Sequence, residues 1–326
     1  MNSAKHHYIP KLYTRQWVGD DACLCEMSRP YHKVEPIRRN PDGVGYAYGI
    51  NTIPGAPPEI ATYLEDQFFL AVDTHAADAL QHLLRHGPNM PNARLRDGWS
   101  RFIMSIIHRT PEKVEWFFRV WSAQFEEAVV SARLEEERLA KEAGLPYELK
   151  PVDLELRRGM SWARVVQSVV DDKNVGMLIN GMQWGVLQLH EGFELLTSDR
   201  PVVMTNGIKG PDSHIVVPIS PRKMFVAAHT RKKLEEINAM GAKSLARTCN
   251  EVVTSQAHRF VYGTDDSQLG FVANRLGKRP SQFIAPASLI RQFPRIDWPP
   301  GPLPPRPKKI KGARVRPADA PTSEGA

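Results

Sequence analysis

A chain of 326 residues, 42% hydrophobic and 24% charged, is long enough to bury its own core without a disulfide or a metal. Its three cysteines (Cys23, Cys25 and Cys249) argue against a secreted disulfide scaffold, and no apolar run approaches the ~18 residues of a membrane span. The net charge of +7 suggests an anionic partner, yet six basic residues against Asp319 and Glu324 put +4 of it in residues 299–326 and leave the other 298 barely basic.

The opening MNSAKHHYIPKLY has no apolar stretch of the secretory kind, so the expected compartment is reducing and cytoplasmic. Residues 1–58 are rich in Gly, Pro and aromatics and read as extended, with a strand over Ala22–Met27 and a turn at Pro41-Asp42-Gly43. From Pro58, apolar residues at 60, 64, 68, 72, 76, 80 and 83 mark one face of a long helix, which Gly87-Pro88 ends. Trp99, Phe102, Ile103, Ile106 and Ile107 mark a second helix, and Pro111 opens a third that runs to Gly144. A further helix is expected over Ser161–Val170 with Ser161 as its N-cap. The period then changes: Trp184–His190 and Phe193–Thr197 around Glu191-Gly192 read as a hairpin. Strands are expected over Pro201–Thr205, His214–Pro218 and Met224–Ala228, then helices over Lys232–Met240 and Ala242–Ala257. The fold class is therefore α+β, a helical middle section on a mainly antiparallel sheet with an extended N-terminal segment. One large globular domain spans residues 1–293. Residues 294–326, with nine of the 27 prolines, form a basic tail expected to be disordered.

Three short sequences hold residues of the right chemistry for a site. His6-His7 offers two imidazoles near Arg15, able to act as base, metal ligand or anion contact; the plainer reading is a segment pinned by Tyr8, Ile9 and Trp17. Thr197-Ser198-Asp199-Arg200 ends a strand, a place for a carboxylate base and equally for a turn before Pro201. Arg109, closing the second helix, either serves that helix's negative end or binds an anion through its planar fork. Cys23-x-Cys25 lacks the second ligand pair of a zinc site, and His82-x₃-His86 lacks the glutamate of a metalloprotease helix.

Taken in order, these sequences resemble the family called domain of unknown function 4238. His6-His7-Tyr8-Ile9-Pro10 resembles its HHYxP opening and Arg109-Thr110-Pro111 its R-T-P element. Thr197-Ser198-Asp199 with Pro201-Val202 resembles T-S-D-N-P-V, with Arg200 in place of the family's Asn. Val217-Pro218-Ile219-Ser220-Pro221 resembles a V-P-[IL]-[ST]-P strand, and Asn250 is the candidate for an asparagine in a late helix. The resemblance implies no activity, but it implies that His6 or His7, Arg109 and Asp199 meet. Imidazole, guanidinium and carboxylate in one pocket would suit a hydrolase or nuclease acting on phosphodiesters. In that reading His6, His7, Arg109 and Asp199 are catalytic, while Arg15, Thr197, Ser198, Arg200 and Asn250 bind substrate. A divalent metal is compatible with this set and not required by it. The alternatives are a non-catalytic module for nucleic acid or protein, and a small-molecule sensor.

Overall fold

A computed structural model describes residues 4–147, 153–190, 192, 194–205 and 207–279. The N-terminal segment alternates short elements: β1 (Lys5–His7), α1 (Lys11–Thr14), β2 (Leu24–Ser28), β3 (Glu35–Arg39) and β4 (Tyr46–Tyr48). Helices follow: α2 (Pro58–Ala61), α3 (Leu70–His86), α4 (Ala93–His108), α5 (Pro111–Glu142), α6 (Leu154–Val170) and α7 (Lys173–Gly181). The remainder is β5 (Gln183–Gln188), β6 (Thr197–Ser198), β7 (Val203–Thr205), β8 (His214–Ser220), β9 (Lys223–Ala228), α8 (Arg231–Asn238), α9 (Ala242–Gln256), β10 (Phe260–Gly263) and α10 (Leu269–Ala273). The class is α+β, with every strand pair antiparallel. The expected tail, residues 294–326, lies outside the described residues.

The central sheet runs β5-β9-β8-β7 and is covered on both faces. Ile215, Val217, Ile219, Phe225 and Ala227 pack with Trp99, Phe102 and Ile103 of α4. Their neighbours Val216, Met224 and Val226 point the other way, onto Ile237 of α8 and Leu245 and Val253 of α9. Burial on both faces explains why β8 and β9 read as unbroken apolar runs. A second sheet, β3-β2-β10-β6, carries Thr197 and Ser198 opposite Tyr262 and Val261. Its edge strand β3 is exposed along its length and carries Pro36, Arg38 and Arg39, which protect an open edge from further pairing.

Three expectations need correction. The helix foreseen from Pro58 is interrupted by a π-helical turn, Leu64–Phe69. Apolar residues at strict steps of four overrun an α-helix by about 40° each, and a wider turn takes up that drift. The face itself is as read, with Leu64, Phe68, Val72, Ala76, Leu80 and Leu83 all buried. The helix expected at Ser161 begins at Leu154, capped by Asp153, whose side chain accepts from Leu156 N–H at 2.9 Å. The hairpin at Glu191-Gly192 does not form: β5 pairs with β9, and β6 pairs with β10. The backbone between them is held by other partners, since Leu195 N–H donates to Pro221 and Leu196 N–H to the Asn250 side chain.

Candidate functional site

β1 turns its two histidines to opposite faces. His6 is buried and its Nδ1 accepts from the Asn51 backbone N–H at 3.0 Å; the Asn51 amide donates onward to Glu65, in the π turn, at 2.6 Å. His7 lies 5.9 Å from the Tyr46 ring, and burial, with help from the Lys11 charge, holds its pKa below the ordinary imidazole value. The Nε2 atoms of both are buried without a hydrogen-bond partner. Arg109 is 1% exposed. Its Nε donates to the Tyr8 carbonyl at 3.1 Å, its terminal nitrogens meet the Asp73 carboxylate at 2.9 and 3.3 Å, and its plane lies 5.1 Å over Phe69. This guanidinium ties the N-terminal segment to α3, with no edge left for a ligand.

The second set centres on β6. Thr197 shares a 2.7 Å hydrogen bond with the Tyr13 hydroxyl, which also donates to the Pro218 carbonyl at 2.6 Å. Ser198 Oγ accepts from the Arg200 backbone N–H, a local turn. The buried Asp199 carboxylate accepts three backbone N–H groups, from His258, Arg259 and Phe260, at 2.7 to 3.1 Å, and clamps the link from α9 to β10. Burial pushes its pKa up to about 6, against the lowering effect of those N–H groups. Arg200 pairs with Glu112, in the first turn of α5, at 2.6 Å. Burial opposes the charge on Glu112, but the Arg200 guanidinium outweighs it and brings its pKa below the ordinary value.

Among the described residues no hydrogen bond or ion pair joins His6, His7, Arg109 and Asp199: His6, Arg109 and Asp199 are each bound to partners of their own, and only the Arg109 charge reaches His7. The motif sequences do meet, but largely through side chains that bind backbone: Arg109 at the Tyr8 carbonyl, Tyr13 at Thr197 and the Pro218 carbonyl, and Trp17, whose indole N–H donates to the Leu195 carbonyl at 2.8 Å. Arg15 is exposed, and its charge reaches Asp42. The cationic Arg200 is matched by Glu112, so it offers no open charge. Sequence reasoning missed Asn51, Glu65 and Asp73. Their signal was weak: an acid inside an amphipathic helix, as Asp73 is, usually reads as a solvated face.

Asn250 leads elsewhere. Its Oδ1 accepts from Leu196 N–H at 2.8 Å, and its amide donates to the Glu194 carbonyl and to Gln268 at 2.8 and 2.9 Å. It floors an open cleft of about 540 Å³ between α9, α10 and the β8–β9 turn. Four cations line this cleft: Arg222, Lys243, Arg247 and Arg275. Arg222 is shared with Glu194 at 3.5 Å and Arg275 with Glu251 at 4.0 Å. Lys243 and Arg247, one turn apart on α9, are exposed and have no carboxylate partner among the described residues. The carboxylates on the wall, Glu194 and Asp265, are fewer, and Asp265 is turned to its own backbone at Ser267 N–H. Phe271 adds an aromatic face, with the Arg275 guanidinium 3.9 Å from its ring centre.

No group of three or more His, Cys, Asp or Glu side chains among the described residues is arranged to hold a metal. Cys25 is buried, and burial pushes its thiol up to about 11, which does not suit a zinc thiolate. The His82 and His86 rings lie 5.0 Å apart, tilted by 43°, with His82 Nε2 bound to the Asn89 carbonyl. No helix among the described residues is long and apolar enough to cross a membrane.

A family model described as Protein of unknown function (DUF4238) matches residues 5–267. The chain belongs to that family. In this DUF4238 chain the matched stretch includes every motif residue above and most of the cleft, and stops four residues before Phe271. No curated protein and no solved structure matches the chain.

Proposed function

We propose that this DUF4238 protein binds a phosphate-bearing anion in the cleft floored by Asn250. One observation carries the reading: four cations from three separate segments line it, and among the described residues two of them, Lys243 and Arg247, have no carboxylate partner. Such a cleft concentrates anions by its field and takes phosphate oxygens through guanidinium and ammonium donors. Titration with pyrophosphate while following thermal unfolding is the test. Binding to the folded state alone stabilises by about 2.7 kcal/mol at a hundredfold excess over Kd. The wild-type midpoint should rise and that of Lys243→Glu/Arg247→Glu should not. No shift in the wild type at millimolar pyrophosphate overturns the reading.

A second reading, hydrolysis of a phosphodiester with a histidine as base, keeps one supporting observation: the buried, unpartnered Nε2 atoms of His6 and His7. Burial favours the neutral imidazole of His7, the form a base needs. Turnover of a generic phosphodiester, lost in His6→Ala or His7→Ala, is its expected outcome. Turnover that survives both substitutions removes the histidines from the chemistry.

A further inference from the structure

We infer that the anion is the backbone of a single-stranded nucleic acid, read without regard to sequence. This rests on the anion-binding reading of the cleft and names its ligand. The cations form a track rather than a cage: Lys243 and Arg247 stand about 6 Å apart along one face of α9, both exposed, with Arg275 on a different element beyond them. A repeated charge along an open wall suits a repeating phosphodiester better than one enclosed phosphate, which calls for buried, convergent donors.

Phe271 supplies what a small anion would not use. Its ring is half-buried in the cleft wall, and Arg275 lies 3.9 Å from its centre, a cation–π pair of the kind on which unpaired bases stack. A duplex keeps its bases stacked on one another and has none to offer. Asn250 itself reads no base edge, because both of its amide donors are already used, by Glu194 and Gln268. The described chain ends beside the last turn of α9, where Arg279 N–H donates to Ser255 and its guanidinium lies 3.4 Å from Glu251. Lys278 and Arg279 are exposed just past α10, and the sequence beyond them holds Lys308, Lys309 and Lys311.

The test is fluorescence anisotropy of labelled dT and rU dodecamers with the full chain across a salt series, beside the pyrophosphate titration. Both oligomers should bind, and log affinity should fall with log salt by ~0.7 per phosphate neutralised. Lys243→Glu/Arg247→Glu should weaken binding by at least about tenfold and flatten that slope, while Phe271→Ala should weaken binding at an unchanged slope, because stacking releases no counterions. Melting curves confirm that each variant is folded. If pyrophosphate stabilises the protein and neither oligomer binds, the nucleic-acid inference is overturned and the anion site stands. If neither ligand acts, both fall. Oligomer binding that ignores the cleft substitutions, but is lost when residues 299–326 are deleted, also overturns the inference.

Discussion

Arg109 and Asp199 show how a charged side chain can be indispensable without touching a ligand. Arg109 has donors matched to Tyr8 and Asp73, so Arg109→Ala should leave a carboxylate and a carbonyl without partners inside the fold, at a cost of about 3–5 kcal/mol. Urea unfolding measures this, and a cost below 1 kcal/mol would contradict the clamp. Asp199 and Lys113 make the pH dependence specific. The folded Asp199 holds its proton up to about pH 6, against 3.8 ordinarily, so its contribution to stability falls as pH rises across that window. Lys113 is buried beside Arg200, its Nζ donating to Ile107 at 2.6 Å, and burial lowers its pKa from 10.5 to about 7. Its penalty is complete below pH 7 and is relieved as pH rises toward 10.5. Together they predict a dip in stability between about pH 6 and 7. Asp199→Asn should remove the acid limb and Lys113→Met the alkaline one. Identical profiles in both variants and the wild type would reject the assignment. Of these roles the sequence showed residue types only: a turn and a base were equal readings of Asp199, because three N–H partners some 60 residues away leave no local mark.

At the scale of elements, legibility followed local period. The helices α3 and α4 showed their faces in spacing alone, since each packs a stripe of its own side chains. The π turn was present as a drift in that spacing, in steps of four that no straight α-helix accommodates. β8 and β9 were visible as strands but their partners were not. A strand buried on both faces has no alternation from which to read its register. Two predictions belong here. α6 crosses the loop before α2 at Gly159, where an added Cβ would sit 1.9 Å from the Pro54 carbonyl oxygen. Gly159→Ala should therefore force backbone apart and destabilise by about 1–3 kcal/mol, although alanine favours helices. A raised melting temperature would show that the approach is looser. In the central sheet, Val216→Lys and Val217→Lys should both be severe, since each face is covered. Tolerance of the first would mean that α8 and α9 do not cover the second face.

For the whole molecule, the fold class was legible, and the place of the cleft was not. The motif sequences stand out because each mixes aromatic, cationic and acidic residues. Those are the groups that clamp backbone as well as the groups that catalyse, so composition cannot separate the two uses. The cleft is built from Arg222, Lys243, Arg247 and Arg275, which lie on three elements and look like ordinary solvated charges one at a time. Only the packing of α9 against the sheet, with α10 across its end, turns them toward one volume. The net charge of +7 is likewise divided, +4 in residues 299–326 and +3 over the rest of the chain, which includes this surface. Binding should therefore respond to salt through both, and to the loss of each separately.

If ligand enters the Asn250 cleft while the His6, Arg109 and Asp199 sets hold the fold, hydrogen–deuterium exchange of the full chain, with and without saturating pyrophosphate, will separate the two. New protection is expected in the first turns of α9, the β8–β9 turn and α10, with residues 5–9 and 105–113 unchanged. Protection confined to those two motif segments, with the cleft unaffected, would contradict entry at the cleft.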